Sequence, residues 1–227
     1  MVGQGIIPGI GSRVVFTVQP STVTAGVALA PAVEVTAQDA SGNTVTTFTE
    51  DVTLALEANP AGGTLAGTTT VAAIAGIASF SNLSINKVGT YTLAASATGL
   101  SSDTSVPFNV TPGAATELVF TVQPSTATSG AAISPAVRVT ARDAMGNVAT
   151  GFIGNVTMAI GTNPGVPAGV LSGTLTRAAV GGVAAFDDLS INRNGTGYTL
   201  GASSGALTAA TSAAFNITAG AVAQVAF

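Results

Sequence analysis

Few side chains in this sequence carry the chemistry of catalysis, because it contains no His, Cys or Trp. Imidazole bases, thiolate nucleophiles and disulfides are therefore excluded. Paired carboxylates remain at Glu50-Asp51 and Asp187-Asp188. Adjacent residues on a strand point to opposite faces, whereas a glycosidase needs two carboxyl groups roughly 5 to 10 Å apart across a cleft. We expect no catalytic residue, no cofactor and no enzymatic activity.

A second polar pattern occurs twice, as Asp39 with Asn43 and as Asp143 with Asn147. Their oxygen atoms suit Ca²⁺, so one interpretation is a calcium clip that stiffens a turn. The alternative is an Asx-type turn, in which the Asp side chain accepts hydrogen bonds from the following backbone. One carboxylate and one amide are few for an ion that takes six to eight oxygen ligands, which favours the turn.

The composition is typical of a β-protein with a weakly charged surface. Charged residues make up 7% of the chain, the net charge is -4, and Lys87 is the single lysine. Nucleic-acid binding is therefore not expected, because no basic patch can neutralise phosphates. The longest apolar stretch, residues 71–80, is about half the roughly 20 residues of a membrane-spanning helix, so no membrane span is expected.

An internal repeat dominates the chain, since VFTVQPST occurs at residues 15–22 and again at residues 119–126, at an offset of 104. Extra residues near Val166-Pro167 and near Gly197 raise the offset to 106 and then 107. These insertions fall at Gly- and Pro-rich points, so we expect them in loops. The repeat predicts a junction segment or strand at 1–11, one domain at 12–112, another at 113–219, and the start of a third repeat or a C-terminal strand at 220–227. The linker 111–114 is short and contains Pro112, which predicts a semi-rigid connection.

The two ends of the chain resemble the interior junction. Pro8-Gly9 matches Pro112-Gly113, and Phe227 matches Phe120. We expect a segment of a longer array, or alternatively last residues that cap the second domain. These end segments are strand-like and are candidates for strand addition to a neighbouring copy. The assembly candidates are Ile6, Ile7, Val222, Val225 and Phe227.

Alternation of apolar and polar residues predicts short strands and no helix. The phase of alternation changes between Phe80 and Leu83, which predicts a bulge. Tyr91 precedes Leu93 by two residues, as Tyr198 precedes Leu200. In immunoglobulin domains a corner tyrosine precedes a core cysteine by two residues, so we expect a tyrosine corner with leucine in the place of the cysteine. The predicted fold is all-β, with two tandem immunoglobulin-like, Greek-key β-sandwiches of about 104–107 residues each. The main predicted strands of the first copy are 13–19, 32–38, 51–57, 76–86, 90–96 and 104–110.

Four short motifs occur in both copies. They are VTAQDASGN with Val139–Asn147, Gly76–Phe80 with Gly182–Phe186, Gly89–Ser96 with Gly195–Ser203, and Phe108–Thr111 with Phe215–Thr218. In these motifs the chain resembles bacterial immunoglobulin-like (Big) domains of the invasin and intimin type. The resemblance implies a spacer or stalk in an extracellular or cell-surface protein, with no catalytic residue. Its implied partners are adjacent repeats or neighbouring copies. The alternatives are an adhesin or carbohydrate-binding module with a host-surface or glycan ligand, and a virion fibre or decoration domain.

Overall fold

The computed structural model describes residues 9–220, and all regular structure in this part of the chain is β-strand. The chain divides into two compact units, Met1–Pro112 (unit 1) and Gly113–Phe227 (unit 2). No helix in the described range is long and apolar enough to cross a membrane. The strands of unit 1 are β1 (Arg13–Val18), β2 (Val23–Thr24), β3 (Val33–Gln38), β4 (Asp51–Leu56), β5 (Leu65–Ala66), β6 (Thr70–Ala72), β7 (Ile77–Phe80), β8 (Ser84–Ile85), β9 (Gly89–Tyr91), β10 (Leu93–Ala97), β11 (Asp103–Thr104) and β12 (Phe108–Thr111). The strands of unit 2 are β13 (Glu117–Val122), β14 (Ala127–Thr128), β15 (Val137–Arg142), β16 (Asn155–Ile160), β17 (Leu171–Ser172), β18 (Thr176–Ala178), β19 (Val183–Phe186), β20 (Ser190–Ile191), β21 (Gly195–Tyr198), β22 (Leu200–Ser203), β23 (Ala210–Thr211) and β24 (Phe215–Thr218).

Each unit is a sandwich of two layers, which confirms the predicted fold class. In unit 1 one layer has the strand order β1-β3-β7. The other consists of β11-β10-β4-β6 and its continuation β2-β12-β9. β5 and β8 form a separate short pair. Unit 2 repeats this order strand for strand, as β13-β15-β19, β18-β16-β22-β23, β14-β24-β21 and β17-β20.

The second layer stays hydrogen-bonded where its strands are interrupted. Ser105 donates its backbone N–H to the Leu93 carbonyl at 2.8 Å, and its Oγ accepts the Leu93 N–H at 2.9 Å. Ser212 makes the same two bonds to Leu200, at 2.8 and 2.9 Å. The side-chain hydroxyl thus replaces a missing backbone acceptor, and β9–β10 with β11–β12 form one long hairpin.

The period-two pattern of the sequence places alternate side chains between the layers. In β4, Val52 and Leu54 are buried while their neighbours are exposed. Phe108 and Val110 do the same in β12. Each unit has its own apolar core of this kind, as expected for a domain that folds around its own buried surface.

Two irregularities have different origins from those that the sequence pattern predicts. The phase change between Phe80 and Leu83 is not a bulge: β7 pairs with β3, and the chain then leaves that sheet so that β8 pairs with β5. The extra residue Gly197 was expected in a loop but lies within β21. There it forms a bulge, with a φ of 90° and its N–H donated to Asn216 Oδ1 at 3.0 Å.

Candidate functional site at the proximal end of each domain

We call the end at which the chain enters the first strand the proximal end of each unit. In unit 1, antiparallel pairing brings the β3–β4, β6–β7 and β10–β11 connections to this end. Gly76 N donates to the Phe48 carbonyl at 3.1 Å, and Ser101 N donates to the Ser12 carbonyl at 2.9 Å. Backbone hydrogen bonds therefore tie these loops to one another and to the incoming chain.

Asp39 follows β3 directly at this end and is 5% exposed. Its Oδ2 accepts the backbone N–H of Gly9 at 2.8 Å, and its Oδ1 accepts those of Ser41 and Asn43, both at 2.9 Å. Asn43 Nδ2 also donates to the same carboxylate. These bonds favour the charged form, with Gly9 contributing most, and lower the pKa of Asp39 to about 2.

Asp143 occupies the same place in unit 2 and is 2% exposed. Its Oδ2 accepts the N–H of Gly113 at 2.9 Å, and its Oδ1 accepts those of Met145 and Asn147, both at 2.9 Å. Burial acts to raise the pKa of Asp143, but the hydrogen bonds from Gly113, Asn147 and Met145 outweigh it, and the net pKa is lowered. We call each such pair, Asp39 with Gly9 and Asp143 with Gly113, an Asp latch.

The latch geometry bears on the four calcium candidates. Both oxygens of Asp39 and both of Asp143 accept N–H donors. Asn43 and Asn147 direct Nδ2, a donor, toward the carboxylate. The lone pairs that a cation needs are therefore engaged, and the arrangement is that of an Asx turn. Within residues 9–220 no three His, Cys, Asp or Glu residues group together as a metal site.

An open groove of about 540 Å³ lies beside the latch of unit 1. Its floor includes Val45 and Phe48, and Ile10 at its rim is 95% exposed. The remaining lining residues are Gly9, Gly11, Thr47, Thr49 and Glu50. The lining is not repeated in the sequence of unit 2, where Ala114, Ala149 and Ile153 stand in place of Ile10, Val45 and Thr49.

The predicted tyrosine corner is confirmed in both units. Tyr91 Oη donates to the Lys87 carbonyl at 2.9 Å, and Tyr198 Oη donates to the Arg193 carbonyl at 3.0 Å. Both rings and the leucines two residues later are fully buried. Burial of the ring raises the pKa of Tyr91. The corner is a packing feature: it joins a loop to the core and presents no free reactive group.

The two carboxylate pairs, Glu50-Asp51 and Asp187-Asp188, lie in different surroundings. Arg177 Nη2 contacts Asp187 Oδ1 at 2.5 Å and Asp188 Oδ1 at 3.4 Å. Asp188 Oδ2 also accepts the hydroxyl of Thr174 at 2.6 Å, the largest of the interactions that lower its pKa. Glu50 lines the groove, and Asp51 begins β4.

Sequence reasoning missed the two residues that close the strand interruption, Ser105 and Ser212, and the acceptor role of Asp103. Each serine precedes a core phenylalanine by three residues in both copies, which is the signal that was available. Asp103 Oδ2 accepts the N–H of Phe16 at 3.0 Å. Its equivalent in unit 2 is Ala210, so this bond belongs to one unit. The assembly candidates Ile6, Ile7, Val222, Val225 and Phe227 lie outside the described residues.

The chain is similar to several solved structures at low sequence identity and with TM-scores below 0.5. No protein-family profile matches the chain, and no curated protein matches it. The Escherichia coli adhesin FdeC is 16% identical, with a TM-score of 0.42 over 94% of this chain and 66% of its own. The Yersinia pseudotuberculosis adhesin InvE is 18% identical, with a TM-score of 0.37 over 95% of this chain and 61% of its own. A β-glycosidase from Bacteroides vulgatus is 10% identical, with a TM-score of 0.41 over 92% of this chain and 25% of its own. The chain thus spans less than two thirds of each of these proteins.

Proposed function

We propose that this chain is a non-enzymatic structural module of an extracellular bacterial surface protein, in which tandem sandwiches form a rod, stalk or filament. One observation carries the proposal: the polar contacts that the two units share hold the fold together, whereas a groove lining, a set of ion pairs and one carboxylate acceptor each occur in a single unit. The Asp latch, the tyrosine corner and the buried serine recur with the same partners. The groove lining, the Arg177 ion pairs and the Asp103 acceptor occur in one unit each.

The surface chemistry supports an assembling module. With charged residues at 7%, the strand edges carry little of the repulsion that keeps β-proteins apart. Ser79 on β7 and Ala185 on β19 are exposed on strands that pair on one side within their sheets. Strand addition between neighbouring copies is the finer part of the proposal.

Two measurements test this function. Protease shaving of intact source cells is expected to release the repeat segment, because a stalk is exposed at the surface; retention inside the cell contradicts it. Sedimentation of the purified chain at increasing concentration tests assembly. A chain that stays monomeric and elongated at high concentration supports a stalk and overturns self-assembly.

A second function is favoured by the groove in unit 1. Loops at one end of an immunoglobulin-like sandwich are a common binding surface, and this groove combines apolar Ile10 and Phe48 with Thr49 and Glu50. An adhesin or carbohydrate-binding role predicts saturable binding to a glycan array or host-cell surface that Ile10→Asp abolishes. Absence of saturable binding leaves the structural role alone.

A further inference from the structure

The connection between the units is held closely by each unit. On the unit 1 side, Thr111 is the last residue of β12 and pairs with Thr24. The Thr111 carbonyl accepts the N–H of Ala25 at 2.8 Å, and the Thr111 hydroxyl donates to the Val23 carbonyl at 3.3 Å. The chain is therefore anchored to unit 1 through the last peptide group before Pro112.

On the unit 2 side the anchor is the Asp latch. Gly113, directly after Pro112, donates its N–H to Asp143 Oδ2 at 2.9 Å. The carboxylate that receives it is itself held, since Oδ1 accepts two turn amides and the Asp143 N–H is donated to the Asn147 carbonyl at 2.9 Å. Without the latch, the next hydrogen bond to the body of unit 2 is from Thr116 N to the Arg142 carbonyl at 2.8 Å.

We propose that Asp143 is a positioning residue that stiffens the tandem, by leaving Pro112 as the one unanchored residue between the two units in the described chain. The proline ring fixes φ, so rotation about ψ of that residue is the main remaining freedom. This inference rests on the proposed structural function, in which tandem units form a rod, stalk or filament.

Unit 1 indicates that the latch is a property of the repeat and not of one junction. Asp39 Oδ2 accepts the N–H of Gly9 at 2.8 Å, and Pro8-Gly9 matches Pro112-Gly113 in sequence. An acceptor that is buried, charged and pre-oriented by its own turn makes a stronger hydrogen bond than a mobile surface group does. An Asp at this place therefore holds the amide of the incoming glycine in one position in each repeat.

The test is an exchange of one oxygen for one nitrogen. Asp143→Asn keeps an oxygen for the two turn amides, because Asn also forms Asx turns. Its Nδ2, however, is a donor and cannot accept the Gly113 N–H. The matched control is Asp39→Asn, which makes the same change in unit 1, away from the 111–113 connection.

The readout is the distance distribution between two spin labels, one on each unit. Because the chain contains no cysteine, Ser79→Cys and Ala185→Cys at equivalent exposed positions give unique attachment sites. Because Ala115 packs against the core of unit 2, loss of the latch lengthens the free segment from one residue to about three, and the span of a flexible segment grows as the square root of its length. We expect the distribution to broaden about twofold in Asp143→Asn, and to stay unchanged in Asp39→Asn.

Each outcome decides the proposal. Broadening in Asp143→Asn alone, with hydrogen exchange of β15 and β16 as in the parent, supports the latch. An unchanged width, equal broadening in the control, or a parent chain already as broad as the variant overturns it. The latch and the structural function fail separately: a broad parent distribution removes the latch and leaves a flexible spacer, whereas retention of the protein inside the cell removes the spacer and leaves the latch.

Discussion

Replacement of Ser105 by alanine isolates the hydrogen bond that closes the interrupted hairpin. The Ser105 hydroxyl accepts the Leu93 N–H at 2.9 Å and donates to the Val106 carbonyl at 3.0 Å. Leu93 is fully buried and Ser105 is 4% exposed. The substitution therefore leaves a buried backbone donor without its acceptor, at a cost of about 1–3 kcal/mol. A change of this size corresponds to a shift of about 5- to 150-fold in the folding equilibrium of unit 1.

Two measurements on the intact chain resolve this effect. Urea unfolding followed by tyrosine fluorescence has one reporter in each unit, Tyr91 and Tyr198. Hydrogen exchange at the Leu93 amide reports local opening and is expected to accelerate within the same fold range, while exchange at Leu200 in unit 2 stays unchanged. Ser79→Ala, on the exposed face of β7, controls for loss of a hydroxyl as such.

A result within about 0.5 kcal/mol of the parent refutes the reasoning, because surface substitutions change stability by that much. It means that Leu93 finds another acceptor once the hydroxyl is gone. Acceleration at Leu200 as well as at Leu93 refutes it in a different way, because the effect is then not confined to one unit. Ser212→Ala is the mirror experiment and is expected to show the opposite pattern.

Three further predictions concern a strained turn residue, the charge of the Asp latch and the tyrosine corner. Ala75 has a φ of 50° in the β6–β7 turn, where unit 2 has Gly181 at 57°. In calorimetry, Ala75→Gly is expected to stabilise unit 1 by about 0.5–1 kcal/mol and Gly181→Ala to destabilise unit 2 by a similar amount. Stability changes of the same sign in the two variants contradict the argument from backbone strain. The pKa of Asp39 falls from 3.8 to about 2 on folding, and that of Asp143 is also lowered. The stabilisation from the two charged carboxylates is therefore present above pH 4 and lost as the pH falls toward 2. The melting temperature is expected to decline across this window and to decline less in Asp39→Asn, whereas an equal decline in parent and variant is evidence against a role for the Asp39 charge. Tyr91→Phe removes the corner hydrogen bond while keeping the ring, and is expected to cost unit 1 about 0.5–1.5 kcal/mol in urea unfolding; an unchanged midpoint shows that the corner is held by packing alone.

The repeated pattern of the sequence was sufficient for the fold class and for the tyrosine corner. Alternating residues such as Val52 and Leu54 have one buried arrangement on a strand, so their partition between core and solvent follows from local geometry. The corner was predictable because Tyr91 and Leu93 lie two residues apart on the same face of one segment. Spacing between residues this close in the chain can be read directly from the sequence.

The sequence did not show which strands pair with each other. The phase change after Phe80 reads as a bulge, yet it marks the point where the chain leaves one sheet for another, because pairing depends on which strands lie alongside. For the same reason Gly197 reads as a loop insertion although it lies in a strand. Both errors come from long-range contacts that no local pattern encodes.

The sequence by itself determined that this chain is two copies of one weakly charged β-sandwich without imidazole or thiol chemistry, because composition, period and repeat are local properties. The tertiary structure alone decided what Asp143 does. From the sequence it was a turn residue or a calcium ligand, since only its neighbours in the chain were known. Folding brings Gly113, 30 residues earlier in the chain, to its second oxygen, and this long-range contact ties the first residue of unit 2 to the turn.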